Sequence, residues 1–367
     1  MEWVAVLVFV ATWAFQLYWY YTLYSIWRNY HPSTSNTAKQ PSVSIIVCAH
    51  NEINNLKILL PLLYQQQYPT YEIVVVEDTS YDGSLDFLLA QKEQHSNLKI
   101  VWLRDHPEHV GGKKYALTLG IRAARYPHLL LTDADCRPSS PFWVRSMIQS
   151  WAAEHEFVLG YSPYQTQPGL LNGFIRYETL HTGMMYLGAA LKGYPYMGVG
   201  RNLAYRKLFF LESGGFRGFW HLTGGDDDIF VNRHATGRNT TIAIHVESQM
   251  VSVPKTSWRA YIRQKIRHLS VGKYYKKQDK RWLGVFSVTT IGFWLVCLFL
   301  LFTGAWMVAV LSLLVRWGMM ALAFRSTANK LNDSIPLHML PIFDFLYVIY
   351  YMSIGPIALL SKHIRWK

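Results

Sequence analysis

Long apolar runs at both ends of the chain bracket a middle in which short apolar runs alternate with polar clusters. Residues 3–27 carry no charge, enough to cross a bilayer as one helix. Residues 283–324 hold a single charge, Arg316, and are long enough for two helices with Thr303-Gly304 as the turn. The run over 335–361 contains Pro336, Pro341, Asp344, Gly355 and Pro356, and reads either as a further span or as a broken helix, re-entrant or lying at the membrane interface. In the middle, residues 43–47, 72–78, 99–103 and 128–132 read as strands, the second a continuous β-branched run suited to a strand covered on both faces. Helical patterns over 53–66, 84–94 and 113–125 fill the gaps. Strands alternating with helices predict βαβ units: an α/β, Rossmann-like fold with a mostly parallel sheet and helices on both faces.

Composition turns this pattern into a membrane protein. The 367 residues, 51% hydrophobic, suit one sizeable globular domain plus transmembrane helices. A signal peptide is a poor reading of the first run, because no basic stretch precedes it and Trp and Tyr crowd both its ends. Of the net charge of +13, most sits in residues 255–281, where ten Lys/Arg face one Asp. Such a run suits nucleic acid or anionic lipid headgroups, and its place just before an apolar hairpin favours lipid. Nucleic acid is therefore not an expected partner. Arg28 and the 255–281 cluster put the region 28–281 on the cytoplasmic side of a multi-pass protein of the cell (inner) membrane. The basic C-terminus, Lys362-His363-Ile364-Arg365-Trp366-Lys367, asks for the same side, which favours a last segment that does not fully span. Cys48, Cys136 and Cys297 are scattered without a pairing pattern, in keeping with a reducing compartment.

The predicted strands end in Ala49-His50-Asn51-Glu52, Glu77-Asp78-Thr79-Ser80, Arg104-Asp105 and Asp133-Ala134-Asp135. Carboxyl ends of strands in an open α/β sheet line one edge, and ligands bind there. Simple loop polarity explains one such cluster easily and four carboxylate-bearing ones poorly. Asp133 and Asp135 stand at i and i+2 after an apolar strand. Hard divalent cations seek carboxylate oxygens and keep phosphate oxygens as further ligands. The pair reads as a clamp for a metal–diphosphate, hence for a nucleotide-linked donor, with no basic substitute for the cation expected nearby.

Residues 41–52 (Pro-Ser-Val-Ser-Ile-Ile-Val-Cys-Ala-His-Asn-Glu), 76–84, 112–117 and Thr132-Asp133-Ala134-Asp135 resemble the family 2 glycosyltransferases in order and spacing, over about residues 41–282. The chain resembles membrane-bound members of the ceramide glucosyltransferase-like and polysaccharide synthase-like kinds. The resemblance implies a GT-A fold, a UDP-sugar donor and inversion by direct displacement. It implies that Ala49, Glu52 and Asp78 hold the uridine, with Glu77 and Asp82 supporting that loop; Glu77 departs from the family's paired Asp. Lys113 would meet the diphosphate at a helix start, where Gly111-Gly112 lets the backbone approach. Lys114 reads as a helix-surface lysine. Asp135 would be the main ligand of Mn²⁺ or Mg²⁺, and Asp133 would lie near metal or ribose.

The family takes its catalytic base from a carboxylate pair at a helix start, so the resemblance points to Asp226-Asp227-Asp228. The order of preference is Asp227, then Asp226, then Asp228, although such residues also serve as helix caps. Residues 195–206, with Gly198, Gly200 and Asn202, resemble the acceptor-side loop. Gln264-Lys265-Ile266-Arg267-His268 is similar to the family's Gln-x-x-Arg-Trp, which implies diphosphate contacts for Gln264 and Arg267; His268 replaces the Trp. At about 100° per residue, Trp258, Ile262, Ile266 and Leu269 form an apolar stripe opposite them. His181 and His221 read as structural, and residues 177–191 as an aromatic- and Met-rich core helix.

The expected organisation is an N-terminal transmembrane helix (1–28), a cytoplasmic GT-A domain (29–254), basic interfacial helices (255–281) and a C-terminal membrane region (282–367). The expected activity is metal-dependent hexosyl or N-acetylhexosaminyl transfer from a UDP-sugar to a membrane lipid. The alternative is a processive polysaccharide synthase of the poly-N-acetylglucosamine kind. A catalytically dead scaffold would have broken carboxylate motifs, and here the carboxylates stand intact.

Overall fold

The structure is a computed structural model that describes residues 2–31, 40–105 and 112–360. Helix α1 (Glu2–Asn29) leads to β1 (Val43–Ala49), α2 (Ile53–Tyr64), β2 (Tyr71–Asp78), α3 (Ser84–Gln94), β3 (Leu98–Leu103), α4 (Gly112–Ala123) and β4 (His128–Asp133). There follow β5 (Cys136–Pro138), α5 (Trp143–Gln149), β6 (Phe157–Gly160), α6 (Leu170–Leu191), β7 (Leu203–Arg206), α7 (Lys207–Glu212), α8 (Asp228–His234), β8 (Thr240–Ala243) and β9 (Met250–Ser252). Helices α9 (Trp258–Val271), α10 (Lys277–Phe302), α11 (Trp306–Leu331) and α12 (Leu340–Leu360) complete the chain. The chain divides into two compact units, one of residues 40–165 and 189–254, the other of residues 2–31, 166–188 and 255–360.

The first unit is built on a seven-stranded sheet in the order β3-β2-β1-β4-β7-β6-β8. β1 pairs in parallel with β2 and β4, β2 with β3, and β6 with β8, while β7 runs antiparallel to β4 and β6. The sheet is thus mixed but mostly parallel, with helices on both sides. On one face, Val43, Ile45, Val47, Ile73 and Val75 pack with Leu56, Leu60, Leu88 and Trp143. On the other, Val76 and Leu103 pack with Ala116 of α4. At Gly120 a β-carbon would fall 2.7 Å from Val76 Cγ2 and 3.0 Å from Ile46 Cγ2, so α4 lies closer to the sheet than a larger residue there would permit. Register sets Cys48 of β1 opposite Asp133 of β4, bringing the ends of the two strands level. Residues 203–206, read from sequence as part of a loop, form β7. Four residues are too few to show a period, and pairing with β4 and β6 makes them a strand.

In the second unit α1, α10, α11 and α12 are each long and apolar enough to cross a membrane. Gly304, with φ of +85°, follows α10 at the expected turn. The segment read as Pro-broken is instead continuous helix over Leu340–Leu360. Pro341 falls in its first turn, where the missing N–H has no helical acceptor. Asp344, the expected interruption, is fully buried against Arg316 of α11 in an ion pair. Its Oδ2 also accepts from Trp294 Nε1 and Trp317 Nε1, each at 3.1 Å. Arg316 Nη2 donates to Gln16 Oε1 at 3.3 Å, and Gln16 Nε2 to Thr289 Oγ1 at 2.9 Å. One polar network therefore joins all four long helices.

Two further polar contacts lie in this unit. His181 packs between the hydroxyls of Tyr20 and Tyr347, at 3.4 and 3.1 Å. On α9 the buried residues are Tyr261, Lys265 and Val271, and Lys265 is ion-paired with Glu178 of α6. Trp258 and Ile262, from the expected packing stripe, are exposed. The buried face of α9 is the one that carries Tyr261 and Lys265.

Removing one partner of a buried ion pair strands the other charge, at a cost of about 3–5 kcal/mol, whereas replacing both by apolar residues is often neutral. Asp344→Leu should therefore lower the unfolding temperature in detergent far more than the double variant Arg316→Met/Asp344→Leu, as a thermal-shift assay will read.

Candidate active site

In the first unit the loops after β1 and β2 are tied together. Asn51 and Thr79 take left-handed backbone conformations, with φ of +56° and +53°. Asn51 N donates to Ser80 Oγ at 2.9 Å, Tyr81 N to Asn51 Oδ1 at 3.0 Å, and His50 Nδ1 to the Asp78 carbonyl at 2.5 Å. Strained non-glycine residues of this kind cluster where surrounding contacts over-determine a site. Glu77, 1% exposed, accepts from Ser80 N at 2.7 Å. Asp82 accepts from Ile53 N at 2.9 Å and Ser84 N at 3.0 Å. Ala49 and Asp78 are buried beside this loop pair, and Glu52 accepts from Asn55 Nδ2 at 2.7 Å. The longer carboxylate of Glu77 is thus engaged with loop backbone.

Lys113, in the first turn of α4, stands 2.9 Å from Asp133 Oδ1 and 3.0 Å from Asp226 Oδ2. It joins the end of β4 to the residues before α8. Burial works against its charge, yet Asp133, Asp226 and Asp227 hold its pKa well above the ordinary lysine value. Lys114 is not a surface lysine: it is 2% exposed and donates to the carbonyls of Leu222 and, at 2.7 Å, Gly224. It fastens the loop that carries the carboxylate triplet. Burial lowers its pKa. Gly111 lies outside the described residues, while Gly112 opens α4.

The triplet is differentiated by its partners. Burial would raise the pKa of Asp226, but Lys113 and Lys114 hold it below the usual carboxylate value. Asp227 caps α8, with Oδ1 accepting from Asp228 N at 2.8 Å and Oδ2 from Gly200 N at 2.7 Å. Burial first, then the neighbouring Asp226 charge, raises its pKa. Asp228 accepts from Ile229 N at 2.8 Å. A β-carbon on Gly200 would lie 3.1 Å from Asp227 Oδ2, so glycine there lets the backbone reach this carboxylate. Lys113, Asp133, Gly200, Asp226 and Asp227 together line one narrow cleft with Cys48 and Thr132.

Asn202, in the segment that resembles the acceptor-side loop, is fully buried in the framework. Its Nδ2 donates to the Tyr161 and Ser248 carbonyls at 2.7 and 2.8 Å, and its Oδ1 accepts from Trp143 Nε1 at 3.0 Å. Asp133 and Asp135 are partly exposed at the strand end. Among the described residues no three His, Cys, Asp or Glu side chains gather into a metal cage. Two carboxylates that leave the remaining positions to water and phosphate oxygens are the donor set Mg²⁺ or Mn²⁺ takes, so these residues fit such a cation. The expectation that no basic residue stands near the pair does not hold. Lys113 pairs with Asp133, and Arg201 lies close enough to Asp133 and Asp135 to feel both charges. Sequence reading passed over Arg201; its place after Gly198-Val199-Gly200 was the available signal. Gln264 and Arg267 sit on α9 in the other unit, half-buried.

A sheet of this order with carboxylates at its carboxyl edge defines a GT-A glycosyltransferase domain. Residues 44–212 match the model of the family described as glycosyl transferase family 2, and the chain carries a domain of that family. The mannosyltransferase PcManGT from Pyrobaculum calidifontis, solved with GDP-Man and Mn²⁺, shares the fold with a TM-score of 0.64 over 99% of both chains, at 18% identity. The chain is 24% identical over 258 residues to the probable glycosyltransferase YdaM of Bacillus subtilis, covering 67% of this chain and 59% of the relative. It is 30% identical over 132 residues to a dolichol-phosphate mannosyltransferase of Mycosarcoma maydis, covering 34% and 43%. The matches thus span about two-fifths to three-fifths of these curated relatives.

The paired shifts carry a pH signature. Asp227 has a raised pKa partly because Asp226 is charged beside it. A base with that carboxylate gains rate as pH rises through the raised value. Asp226→Asn removes the neighbouring charge, so the acid limb of kcat/KM should move to lower pH in whatever activity the variant retains; an unmoved limb would separate the limb from Asp227.

Proposed function

We propose that the chain moves a single sugar from a nucleotide diphosphate sugar, a UDP-sugar in the first instance, to a membrane lipid, with inversion. The observation that carries this reading is the pairing of Asp227, raised in pKa and held by Gly200 N, with the Lys113–Asp133–Asp226 cluster at the sheet edge. Loops after β1 and β2, through Ala49, Glu52, Glu77 and Asp78, receive the nucleoside. Lys113 offers a point charge to the diphosphate. Asp135, with Asp133, holds Mn²⁺ or Mg²⁺; when bound, the cation offsets charge building on the departing nucleotide. Asp227 takes the proton of the acceptor hydroxyl or phosphate as that oxygen attacks the anomeric carbon. Asp226 keeps its own charge against Lys113 and thereby tunes Asp227. The motif formed by Gln264 and Arg267 supports a further role toward the diphosphate.

A lipid acceptor is supported by the four apolar helices and by the relative that acts on dolichol phosphate. The basic stretch 255–281 supports a cytoplasmic catalytic side at the inner membrane. A resemblance to a poly-β-1,6-N-acetyl-D-glucosamine synthase of Staphylococcus epidermidis, 30% identical over 93 residues, keeps processive synthesis as the rival. His268 argues against it, since a smaller ring than Trp offers less area to stack on a sugar.

Three outcomes are expected. Asp135→Ala and excess EDTA should each abolish transfer, as assayed by release of the nucleotide diphosphate. Asp227→Asn should reduce transfer roughly 10²–10⁴-fold while leaving nucleotide-sugar binding near normal; the reverse pattern, with only Asp226→Asn dead, would shift the base by one residue. Mass spectrometry of products from a panel of UDP- and GDP-sugars with native lipid should find one discrete glycolipid, whereas a ladder of polymer would favour the synthase.

A further inference from the structure

Arg201 sits in the 3-10 turn Gly200–Asn202, and both of its neighbours are pinned. Gly200 N is bonded to Asp227, and Asn202 is anchored in the core by Trp143, Tyr161 and Ser248. Its own side chain is held from two directions. Nη1 donates to Ser252 Oγ at 2.9 Å, and the guanidinium carbon lies 4.6 Å from the centre of the Tyr164 ring. Tyr164 and Ser252 are themselves bridged by backbone pairing. The same strand end runs beside the Asp-x-Asp motif: Cys136 pairs with Ser252, and Val253 N donates to the Asp135 carbonyl at 3.4 Å. Among the described residues, Ser252 is the one hydrogen-bond partner of this guanidinium. Most of its N–H donors are uncommitted.

A rigid, always-charged fork with open donors matches phosphoryl oxygens, which it can grip in pairs. Packing beneath it means that little rotamer freedom remains to be lost on binding. We infer that Arg201 is a phosphoryl-binding residue set between the Asp-x-Asp carboxylates and Asp227, where it grips either the diphosphate of the donor or a phosphate on the acceptor lipid. Its charge there also offsets Asp133 and Asp135. The inference rests on the nucleotide-sugar reading above.

The test uses the purified full chain in detergent. Isothermal titration with UDP and GDP in the presence of Mn²⁺ forms one arm, and titration with a short-chain polyprenyl monophosphate forms the other. Arg201→Met should weaken binding roughly 10- to 100-fold in one arm, the usual effect of losing a hydrogen bond to a charged group. Loss in the nucleotide arm assigns the residue to the donor, and loss in the lipid arm to the acceptor phosphate. Arg201→Lys, which keeps charge without the fork, should recover only part. Wild-type binding in both arms, whatever happens to thermal stability or Mn²⁺ affinity, overturns the inference and leaves Arg201 a counter-ion. If Arg201→Met does not fold, Tyr164→Leu removes the ring beneath the guanidinium; weakened binding then supports the inference and unchanged binding overturns it. A wild-type chain that binds neither nucleotide overturns the functional reading itself.

Discussion

Lys113 binds two carboxylates that are nearly a hundred residues apart in sequence, and it ties the carboxyl edge of the sheet to the segment before α8. Asp78, Asp133, Asp135 and the triplet 226–228 all belong to this unit, and like charges in partly buried surroundings repel strongly. One ammonium between Asp133 and Asp226 makes the gathering tolerable. It also breaks the symmetry of the triplet: Asp226 is held ionised, while burial first and that fixed charge second raise Asp227. Two identical neighbours in sequence thus acquire opposite pKa shifts, because Asp226 is ion-paired with the lysine while Asp227 is not. The next residue, Lys114, points about 100° further round the helix. There it meets backbone carbonyls of the loop before the triplet rather than carboxylates. Two consecutive lysines on α4 thus set the charge and the position of the same segment.

The second unit obeys the same rule in apolar surroundings. Arg316 and Asp344 would be costly alone within membrane-length helices, and together they become the contact that joins α11 to α12 and, through Gln16, Trp294 and Trp317, to the rest. Lys265 and Glu178 repeat the device between α9 and α6.

The local signals were readable wherever they were long. Strands β1 to β4 and helices α2 to α4 follow from runs of β-branched residues and helical spacing, and the order of motifs brought Asp133, Asp135, Asp226 and Asp227 into one proposed site. Strands β6, β7 and β8 hold four residues each, too few for a period to appear, and β7 exists only because β4 and β6 offer it partners. Asn202 reads as part of an acceptor-side loop and is a framework residue; Lys114 reads as surface and is a buried tie. A polar residue in a string carries no mark of whether its partner will be water, backbone or substrate.

Composition and periodicity were enough to establish the apolar ends, the alternating middle and the carboxylate-rich strand ends, because those depend on what each residue is. The roles of Lys114, Asn202, Arg201 and Asp344 depend on what each one meets. Asp344 read as an interruption so long as its charge was counted alone, and it became part of a continuous helix once Arg316 stood against it. Burial and pairing are properties of two or more residues distant in sequence. The free energy of a buried charge is set by its partner, and that partner is supplied only when the chain has folded.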